Sequence, residues 1–511
     1  MEKIDNIDNL DRKILSIVMH NARIPSKDVA QECGVSRAAI HQRIQRMIDL
    51  GIITGSGYTV NPKKLGYSTC AYIGVNLERG ALYQTVVPEF EMIPEVVECH
   101  FTTGPYTMMV KLFVRDNEHL DRTHHTPPFR MIIGYDGKRA VKNNTGLGNY
   151  SRLLVELLAG QYPDNSYLLY TSSLSDNPRL KPLSRFGNIK FRVPDRWAWR
   201  KMSGLWRVNG GITAQARRDG VDLFHGLSGE LPLDIEKLGK PSVVTIHDVI
   251  FRHFPECYAA IDRKIYDYKF ARAARAATRI IAISECTARD VVDFYGIDPA
   301  KISIVYQGCA SQFHHVPAPE EIAAVREKHR ISGPYIVAVG TVERRKNQLL
   351  AVKGLRALPA DLSLVIVGRR TDYALALDSY IREHNLGVRV RFIDNAPFAD
   401  LPALYAGAVC STYTSRFEGF GIPVIESLYC GTPAVVATGS CLEEAGGPST
   451  PAVDPDDEAA WAEVVTRLYG DPAERSRVAA EGRVYVERFN DTNMATQTME
   501  VYCQAMAEYN G

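Results

Sequence analysis

The stretch from Ala408 to Thr438, AVCSTYTSRFEGFGIPVIESLYCGTPAVVAT, restricts the fold of this chain more than any other. AVCSTYT is a short apolar, β-branched run of the kind that makes a buried strand, and AVVAT is another. Between them Gly419 and Gly421 give a tight turn. Pro423 suits the first turn of a helix, where a missing N–H costs nothing, so a helix is predicted from about Ile422 to Tyr429. Gly431 stops it. Strand, turn, helix and strand in that order belong to an α/β sheet. The helix N-terminus, with free N–H groups and a partial positive charge, then points at whatever lies above the strand end. That is an anion site.

Two carboxylates bracket the site. Glu418 lies beside the glycine turn and Glu426 one turn into the helix, eight positions on. A carboxylate accepts from two vicinal hydroxyls at once, so an anion site flanked by two of them suits a nucleotide sugar. The spacing E-x7-E, set in EGFGIPVIE, resembles the retaining glycosyltransferases of family 4, which have the GT-B architecture of two Rossmann-like lobes. The resemblance runs over roughly residues 131–490. It implies that Glu418 faces the donor sugar and Glu426 holds the nucleotide ribose, with Gly419, Phe420, Gly421 and Ile422 against the donor. Two glutamates on an ordinary surface helix are the plain alternative, and the further matches along the chain argue against it.

PYIVAVGTVERRKNQLLAVKGL opens the C-terminal lobe as strand, turn and helix. Its strand ends at Gly340, and Arg344 to Asn347 begin the next element, where cations complement a diphosphate. By the resemblance Arg345 and Lys346 hold the donor phosphates; many members carry a further cation where this chain has Thr341. The strands SLVIVGRR, VRVRFI, AVCSTYT and AVVAT alternate with helices at Tyr373–His384, Ala399–Ala406 and Ile422–Tyr429, which means a parallel sheet. Ser440 and Glu443 are expected to form a capping box. The helical stretch Ala473–Arg488 and the tail beyond it would return across both lobes. Asp454, Pro455 and Asp456 spell a DxD motif superficially. They are read as a turn, and neither a metal nor another cofactor is expected.

The N-terminal lobe opens with MIIGYDGKRAVKNNTGLGNYSRLLVELL, a strand, a glycine loop and a helix near Tyr150. Gly146 and Gly148 let backbone approach a ligand. The spacing does not fit a dinucleotide fingerprint, which argues against a dehydrogenase. VDLFHGLSGELPL presents His225, Ser228 and Glu230, and SVVTIHDVIFRHFP presents His247 and Asp248, at strand ends that face the crevice of a doubly wound sheet. His247 resembles the family's cleft histidine near the donor sugar; a structural histidine tying two loops is the alternative. RIIAISECTARDVVDFYG is a strand, a Ser284 cap, a helix and a terminal glycine. Between Lys181 and Arg218 lie Trp197, Trp199 and Trp206 among arginines. Tryptophan is usually buried, so an inward-packed helix is expected, with a membrane-surface patch for a lipid-linked acceptor as the alternative.

The first 66 residues have a different character. Leu10, Ile14, Leu15, Ile17 and Val18 share one helical face; Ser26 is expected to cap a second helix ended by Gly34; Ser36 caps a third over about Arg37 to Leu50, with Ile40, Ile44, Met47 and Ile48 inward. Three helices with a glycine turn before the third make a helix-turn-helix. Its outer face carries Ser36, Arg37, His41, Gln42, Arg43 and Arg46, side chains that reach phosphates and base edges. LGIITGSGYTVNPKKLGY follows as a small hairpin or wing. Over residues 4–66 the pattern resembles the Lrp/AsnC regulators, which implies DNA binding; a plain helical interaction module is the alternative. Residues 67–122 hold three strand-like runs, STCAYIGVNL, VVECHFTT and YTMMVKLFV, with a helical stretch before Ile93. By the same resemblance, which extends to about residue 120, they are a truncated effector and oligomerisation domain. The family pattern continues with a second helix and a fourth strand, and losing that strand exposes an edge. The junction at His124 to Phe129 is abrupt, and Met131 stands where a free-standing transferase could begin. A natural fusion and two joined reading frames both stay open.

The chain has 511 residues, enough for three or more domains, and 60 Lys and Arg against 59 Asp and Glu, so no global field names a polyanionic partner. Ten cysteines without a CxxC pair read as reduced thiols. No run has the roughly 18 apolar residues of a spanning helix, and the charged start is unlike a signal peptide, so a cytoplasmic protein is expected. The expected fold is α/β: a winged helix-turn-helix at residues 1–66, the partial domain at 67–122, and GT-B lobes at 131–318 (acceptor) and 319–511 (donor). The expected function is transfer of a hexose, with mannose as the candidate, from a GDP- or UDP-linked sugar to a glycan or lipid-linked glycan, with retention. DNA and a homo-oligomeric partner are further expectations. The alternative is a sequence-specific regulator whose transferase half is passive or a sensor.

Overall fold

The computed structural model describes residues 7–55, 61–75, 86–87, 90, 93, 95–103, 106–116 and 130–510. The helix before Ile93, the tip of the wing and the junction at His124 to Phe129 fall largely or wholly outside them.

Helices α1 (Asn9–His20), α2 (Ser26–Cys33) and α3 (Arg37–Asp49) close on a small core of Ile14, Val29, Ala30, Ile40 and Met47. Asp8 and Asp11 cap α1 reciprocally, and Gly34 ends α2 in the left-handed region at φ 69°. Two details depart from expectation. Ser26 is the first residue of α2 and makes no cap, because Pro25 takes the N-cap position. Ile48 is half exposed. Beyond the wing, Pro62–Leu65 form a turn of 3₁₀ helix that carries Lys63 and Lys64. The strand-like runs that follow are strands, β1 (Thr69–Val75), β2 (Val96–Phe101) and β3 (Met108–Val114), in the order β1-β3-β2.

From residue 131 two parallel sheets follow in order. The first holds seven strands, β4 (Ile132–Asp136), β5 (Ser166–Tyr170), β6 (Ile189–Arg192), β7 (Leu223–Gly226), β8 (Ser242–Ile246), β9 (Arg279–Ala282) and β10 (Ile302–Ile304), in the order β10-β9-β8-β7-β4-β5-β6. The second holds six, β11 (Tyr335–Val339), β12 (Ser363–Val367), β13 (Val390–Ile393), β14 (Cys410–Tyr413), β15 (Ala434–Ala437) and β16 (Ala452–Val453), in the order β13-β12-β11-β14-β15-β16. β11, β14 and β15 are continuous apolar or small runs because helices cover both sheet faces. In each sheet the strand order reverses beside its first strand, between β4 and β7 and between β11 and β14. The carboxyl ends of those strands open onto a crevice.

Helices α4 (Gly146–Gln161), α5 (Glu285–Tyr295), α6 (Ile422–Tyr429), α7 (Pro472–Val486) and α8 (Asp491–Asn510) position the site. α6 has the bounds that Pro423 and Gly431 predict. α4 begins at Gly146, four residues earlier than expected, so both its glycines lie inside the helix. The Ser440 and Glu443 capping box is absent. Glu443 accepts from the Gly439 N–H at 3.0 Å, while the buried Ser440 hydroxyl has no partner. The basic and aromatic stretch is not one helix but three short ones, Trp197–Lys201, Ser203–Val208 and Gly211–Arg218. α7 packs on α6, where the Tyr429 hydroxyl donates to the Val486 carbonyl at 2.9 Å. α8 returns to the first lobe and buries Met494, Met499 and Tyr502 in its core, each contributing roughly 1.5–3 kcal/mol. A further apolar cluster joins the lobes, with Ile283 and Cys286 of the first against Phe417, Phe420 and Val424 of the second.

Candidate active site

At the reversal of the second sheet, β11 and β14 deliver two loops to one point. Gly340 ends β11 at φ 143°, a conformation that side chains rarely adopt, and donates its N–H to the Val367 carbonyl at 2.8 Å. The Arg416 N–H donates to the Arg345 carbonyl at 2.8 Å and ties the loop after β14 to the turn Arg344–Lys346.

The two loops bring Glu418, Arg345 and Lys346 together. Oε1 of the buried Glu418 lies 2.7 Å from Lys346 Nζ and 2.8 Å from Arg345 Nη1, and accepts from the Tyr413 hydroxyl at 3.2 Å. Arg345 also donates to the Phe417 carbonyl at 2.7 Å and to Glu343 at 2.6 Å, which fixes its plane. Lys346 bonds the Tyr413 hydroxyl and lies 4.7 Å from the centre of that ring. Burial works to raise the Glu418 carboxyl, but Lys346 and Arg345 outweigh it and hold the group below the ordinary carboxylate value. Burial likewise opposes the charge on Lys346, and Tyr413 and Glu418 reverse the effect. The cluster therefore stays charged at neutral pH, with Arg345 and Lys346 converging on Glu418 and Glu343 on the outer side of Arg345.

Gly421, at φ 134°, leads into α6 without a side-chain cap; Pro423 has no N–H and the Val424 N–H donates to the Gly421 carbonyl at 2.9 Å, so in the first turn it is the Ile422 N–H that remains for an anion. Glu426 is buried one turn in and accepts from the Tyr405 hydroxyl at 3.2 Å. Burial pushes its carboxyl up to about 7. The Phe420 side chain belongs to the core: its ring stacks 5.5 Å from Tyr306 and meets Phe489 edge-on, which leaves only its backbone toward the glycine turn. Ile422 is the first residue of α6 and is partly buried.

In the first lobe His247 follows β8. A carbonyl can only accept, so His247 Nε2 carries the proton it gives to Leu227 O at 2.9 Å, and Nδ1 accepts from Gln307 at 3.2 Å. Burial lowers its pKa to about 4, so the ring is neutral at pH 7. It borders a cavity of about 180 Å³ that Arg139, Glu230, Asp248, Tyr258 and Tyr266 also line. Glu230 is held by Arg207 at 2.8 Å and Arg207 by Asp136 at 2.6 Å, a buried chain of charges. His225 is structural: its nitrogens bond the Tyr502 and Thr245 hydroxyls at 2.7 and 2.8 Å. A Cβ at Gly148 would stand 2.0 Å from the Asn143 carbonyl, so its own turn already requires a glycine there. Gly146 has open space around its Cβ position.

In the winged-helix part Ser36 caps α3 by accepting from the Ala39 N–H at 3.2 Å. Arg37, His41, Gln42 and Arg46 are exposed. Arg43 is not with them: its guanidinium bonds Asp8 at 2.6 Å and the buried Asp11 at 2.8 Å, bracing α3 against the start of α1. Sequence reasoning missed Tyr413, Tyr405 and Arg207. Tyr413 alone had a visible signal, as the last residue of a buried strand that ends at the crevice.

Known proteins share these parts separately. Residues 321–485 match the family model for glycosyl transferases group 1, and residues 146–312 that for glycosyltransferase family 4. Residues 7–54 match the winged helix-turn-helix DNA-binding family and residues 70–126 the Lrp/AsnC ligand binding domain. The chain is 28% identical over 297 residues to O-antigen chain mannosyltransferase B of Escherichia coli, spanning 57% of this chain and 76% of that protein. It is 41% identical over 109 residues to regulatory protein AsnC of Escherichia coli strain K12, spanning 21% of this chain and 72% of that one. The crystal structure of Anabaena HepE in complex with UDP and glucose superposes with a TM-score of 0.58 at 18% identity, over 73% of this chain and 100% of that one. That last likeness concerns the fold alone.

Proposed function

We propose that this chain, which belongs over residues 146–485 to the family 4, group 1 glycosyltransferases and over residues 7–126 to the Lrp/AsnC regulators, moves a hexose from a nucleoside diphosphate sugar to a glycan acceptor with retention at the anomeric carbon. The observation that carries this reading is the convergence of Arg345 and Lys346 on Glu418 at the strand-order reversal, beside the uncapped start of α6. The bond from the anomeric carbon to the diphosphate oxygen breaks with its electron pair on the diphosphate. The acceptor oxygen bonds to the same face of the sugar, and its proton passes to the departing phosphate. Arg345, Lys346 and the positive end of α6 at the Ile422 N–H stabilise the negative charge as it develops, without a metal. Glu418 orients the sugar hydroxyls, Glu426 accepts from the ribose, and neutral His247 faces the sugar from the other lobe, its Nδ1 accepting from a sugar hydroxyl in place of Gln307. The mannosyltransferase relative favours mannose, and hence a GDP-linked donor, as the first to test.

The acceptor side is proposed to meet a membrane surface. Trp197 is 71% exposed, with Met202 and Leu205 half exposed beside it, and Arg196, Arg200 and Lys201 surround them. This is the reverse of the inward packing expected for Trp197; Trp206 is fully buried and Trp199 partly. No helix among the described residues is long and apolar enough to cross a membrane, so contact through this patch would be peripheral.

The deciding experiment is nucleotide release from a panel of UDP- and GDP-sugars, with Glu418→Ala and Glu426→Ala as controls. Release from one donor that both variants lose supports the transferase and names its donor. If no donor is bound or turned over, the regulator with a passive or sensing transferase half takes its place. The exposed face of Arg37, His41, Gln42 and Arg46 supports DNA binding in either case, and a gel shift at several salt concentrations tests it, since phosphate contacts weaken steeply with salt.

A further inference from the structure

The loop that carries Glu418 is held from the first lobe as well as the second. Within its own lobe the Cys441 thiol lies 3.1 Å from the Glu418 carbonyl and 2.7 Å from the Phe420 carbonyl. The carbonyl between them, of Gly419, is taken by the other lobe: the Ser284 hydroxyl donates to it at 2.7 Å. The Thr287 hydroxyl lies 3.3 Å from the same carbonyl and 3.2 Å from the carbonyl of His247. Gly419 lies against His247 so closely that a Cβ would stand 2.1 Å from the His247 carbonyl.

These contacts come from one face of α5. Ser284, Thr287 and Asp290 follow one another at intervals of three residues, which places them above one another along the helix. Asp290 accepts from His253 at 2.9 Å, and the His253 ring stacks 4.1 Å from Phe417, the residue before Glu418. At the head of the helix the Glu285 N–H donates to Glu444 of the second lobe at 2.7 Å. Ser284 is fully buried and Thr287 nearly so, so neither hydroxyl competes with water for these carbonyls. A cap serine needs only to accept from the N–H three residues on, and Ser284 does that at 3.0 Å from Thr287 N. Its proton is left for the loop of the other lobe.

We propose that Ser284 and Thr287 are positioning residues, a hydroxyl pair on α5 that fixes the Gly419 carbonyl against the His247 carbonyl and so sets Glu418 and His247 at their working separation across the crevice. The pair acts on the reacting groups only through backbone, and it couples lobe closure to the placement of the donor sugar. This rests on the transferase reading above for its kinetic consequence, but not for the physical one.

The full chain tests it. Hydrogen exchange read by mass spectrometry over residues 415–422, in the double variant Ser284→Ala, Thr287→Val, is expected to quicken there while the cores of both lobes keep their protection. With the donor found by the nucleotide-release panel, kcat is expected to fall roughly 10- to 100-fold, as a small misplacement of reacting groups does, while KM for the donor moves less than about twofold. Ser284→Thr, which keeps the hydroxyl, should restore most of kcat. Gly419→Ala approaches from the other lobe, pushing the loop off His247 with both hydroxyls intact, and should give the same split even if the double variant does not fold. Exchange over 415–422 unchanged in the double variant and in Gly419→Ala would overturn the proposal. So would a general loosening of both lobes that Ser284→Thr does not repair, which would mark a merely structural role. A chain that turns over no donor would remove the transferase reading, and the exchange comparison would still decide the hydroxyl pair.

Discussion

Glu418 and Lys346 meet at 2.7 Å with both side chains largely buried, so each is the counter-ion that makes the other's burial affordable. Removing one partner of such a pair leaves an uncompensated charge and costs about 3–5 kcal/mol, whereas removing both together can be nearly neutral. Glu418→Gln takes the carboxylate from Lys346 and is expected to lower the unfolding midpoint most, whereas Lys346→Met leaves Glu418 its Arg345 partner at 2.8 Å and should lower it less; the double variant should recover most of the larger loss. Turnover should not recover. Without Lys346 the departing diphosphate loses a fixed positive charge, and a loss of about 100- to 1,000-fold in kcat is expected in the single and the double variant alike. Denaturant unfolding beside donor turnover separates the two roles. Turnover restored in the double variant would exclude Lys346 from charge stabilisation.

Glu426 gives a pH dependence of defined sign. Its folded pKa is raised to about 7 from 4.5, so the stability tied to its neutral form is complete below about 4.5 and is lost as the pH rises through 7. Glu426→Gln should thus stabilise the protein at pH 8 relative to the native chain and change little at pH 5. Nucleotide binding should run the other way, because ribose hydroxyls donate best to an ionised carboxylate. The affinity for GDP or UDP is expected to rise between pH 6 and 8 in the native chain and to stay flat in Glu426→Gln. Calorimetric titration at three pH values checks it.

The parts of this site that could be read in advance are those whose causes are local. Pro423 and Gly431 fix the ends of α6 through backbone rules that need no neighbour, and Ser284 and Gly296 do the same for α5. The alternation of apolar runs with helices dictated the parallel sheets. What could not be read depends on partners far along the chain. Arg43 lies on the outer side of α3 by helical spacing and is drawn in by Asp8, 35 residues earlier. Gly148 has the look of a ligand loop, and the further reason for its glycine, the Asn143 carbonyl of its own turn, is conformational and leaves no mark in composition. Ser284 was legible as a cap, but its second bond, to Gly419 across 135 residues, was not.

Arg43 and Arg37 should accordingly fail in different ways. Arg37 is exposed on the recognition face, and Arg37→Ala is expected to leave folding alone, weaken DNA binding and reduce the slope of log affinity against log salt by about one. Arg43→Ala takes the close cation from Asp11, which is 1% exposed and among the described residues keeps only the Asp8 N–H at 3.1 Å and Arg46 at 4.0 Å, and should lower the unfolding midpoint of the winged-helix part before it changes the salt slope. Thermal unfolding followed by circular dichroism, with gel shifts at three salt concentrations, distinguishes them. A salt slope that drops equally in both variants would return Arg43 to the DNA-facing set.

The exposed patch around Trp197 makes the last prediction. Lys201 lies 4.3 Å from the Trp197 ring centre, so the cation and the aromatic face form one unit, with Arg196 and Arg200 exposed nearby. An aromatic side chain seats at the level of lipid headgroups while basic residues add attraction to anionic lipid, each worth about 1 kcal/mol near the surface. The full chain is expected to sediment with vesicles containing anionic phospholipid and to dissociate as salt rises. Trp197→Ala should weaken binding at every salt concentration, because it removes buried apolar area. Arg200→Ser should weaken it chiefly at low salt, where the screened term is largest. The indole emission of the native chain should also shift to the blue on binding, and that shift should vanish in Trp197→Ala. Binding that needs neither side chain would place the membrane contact elsewhere on the protein and leave Trp197 as a surface residue without a partner in lipid.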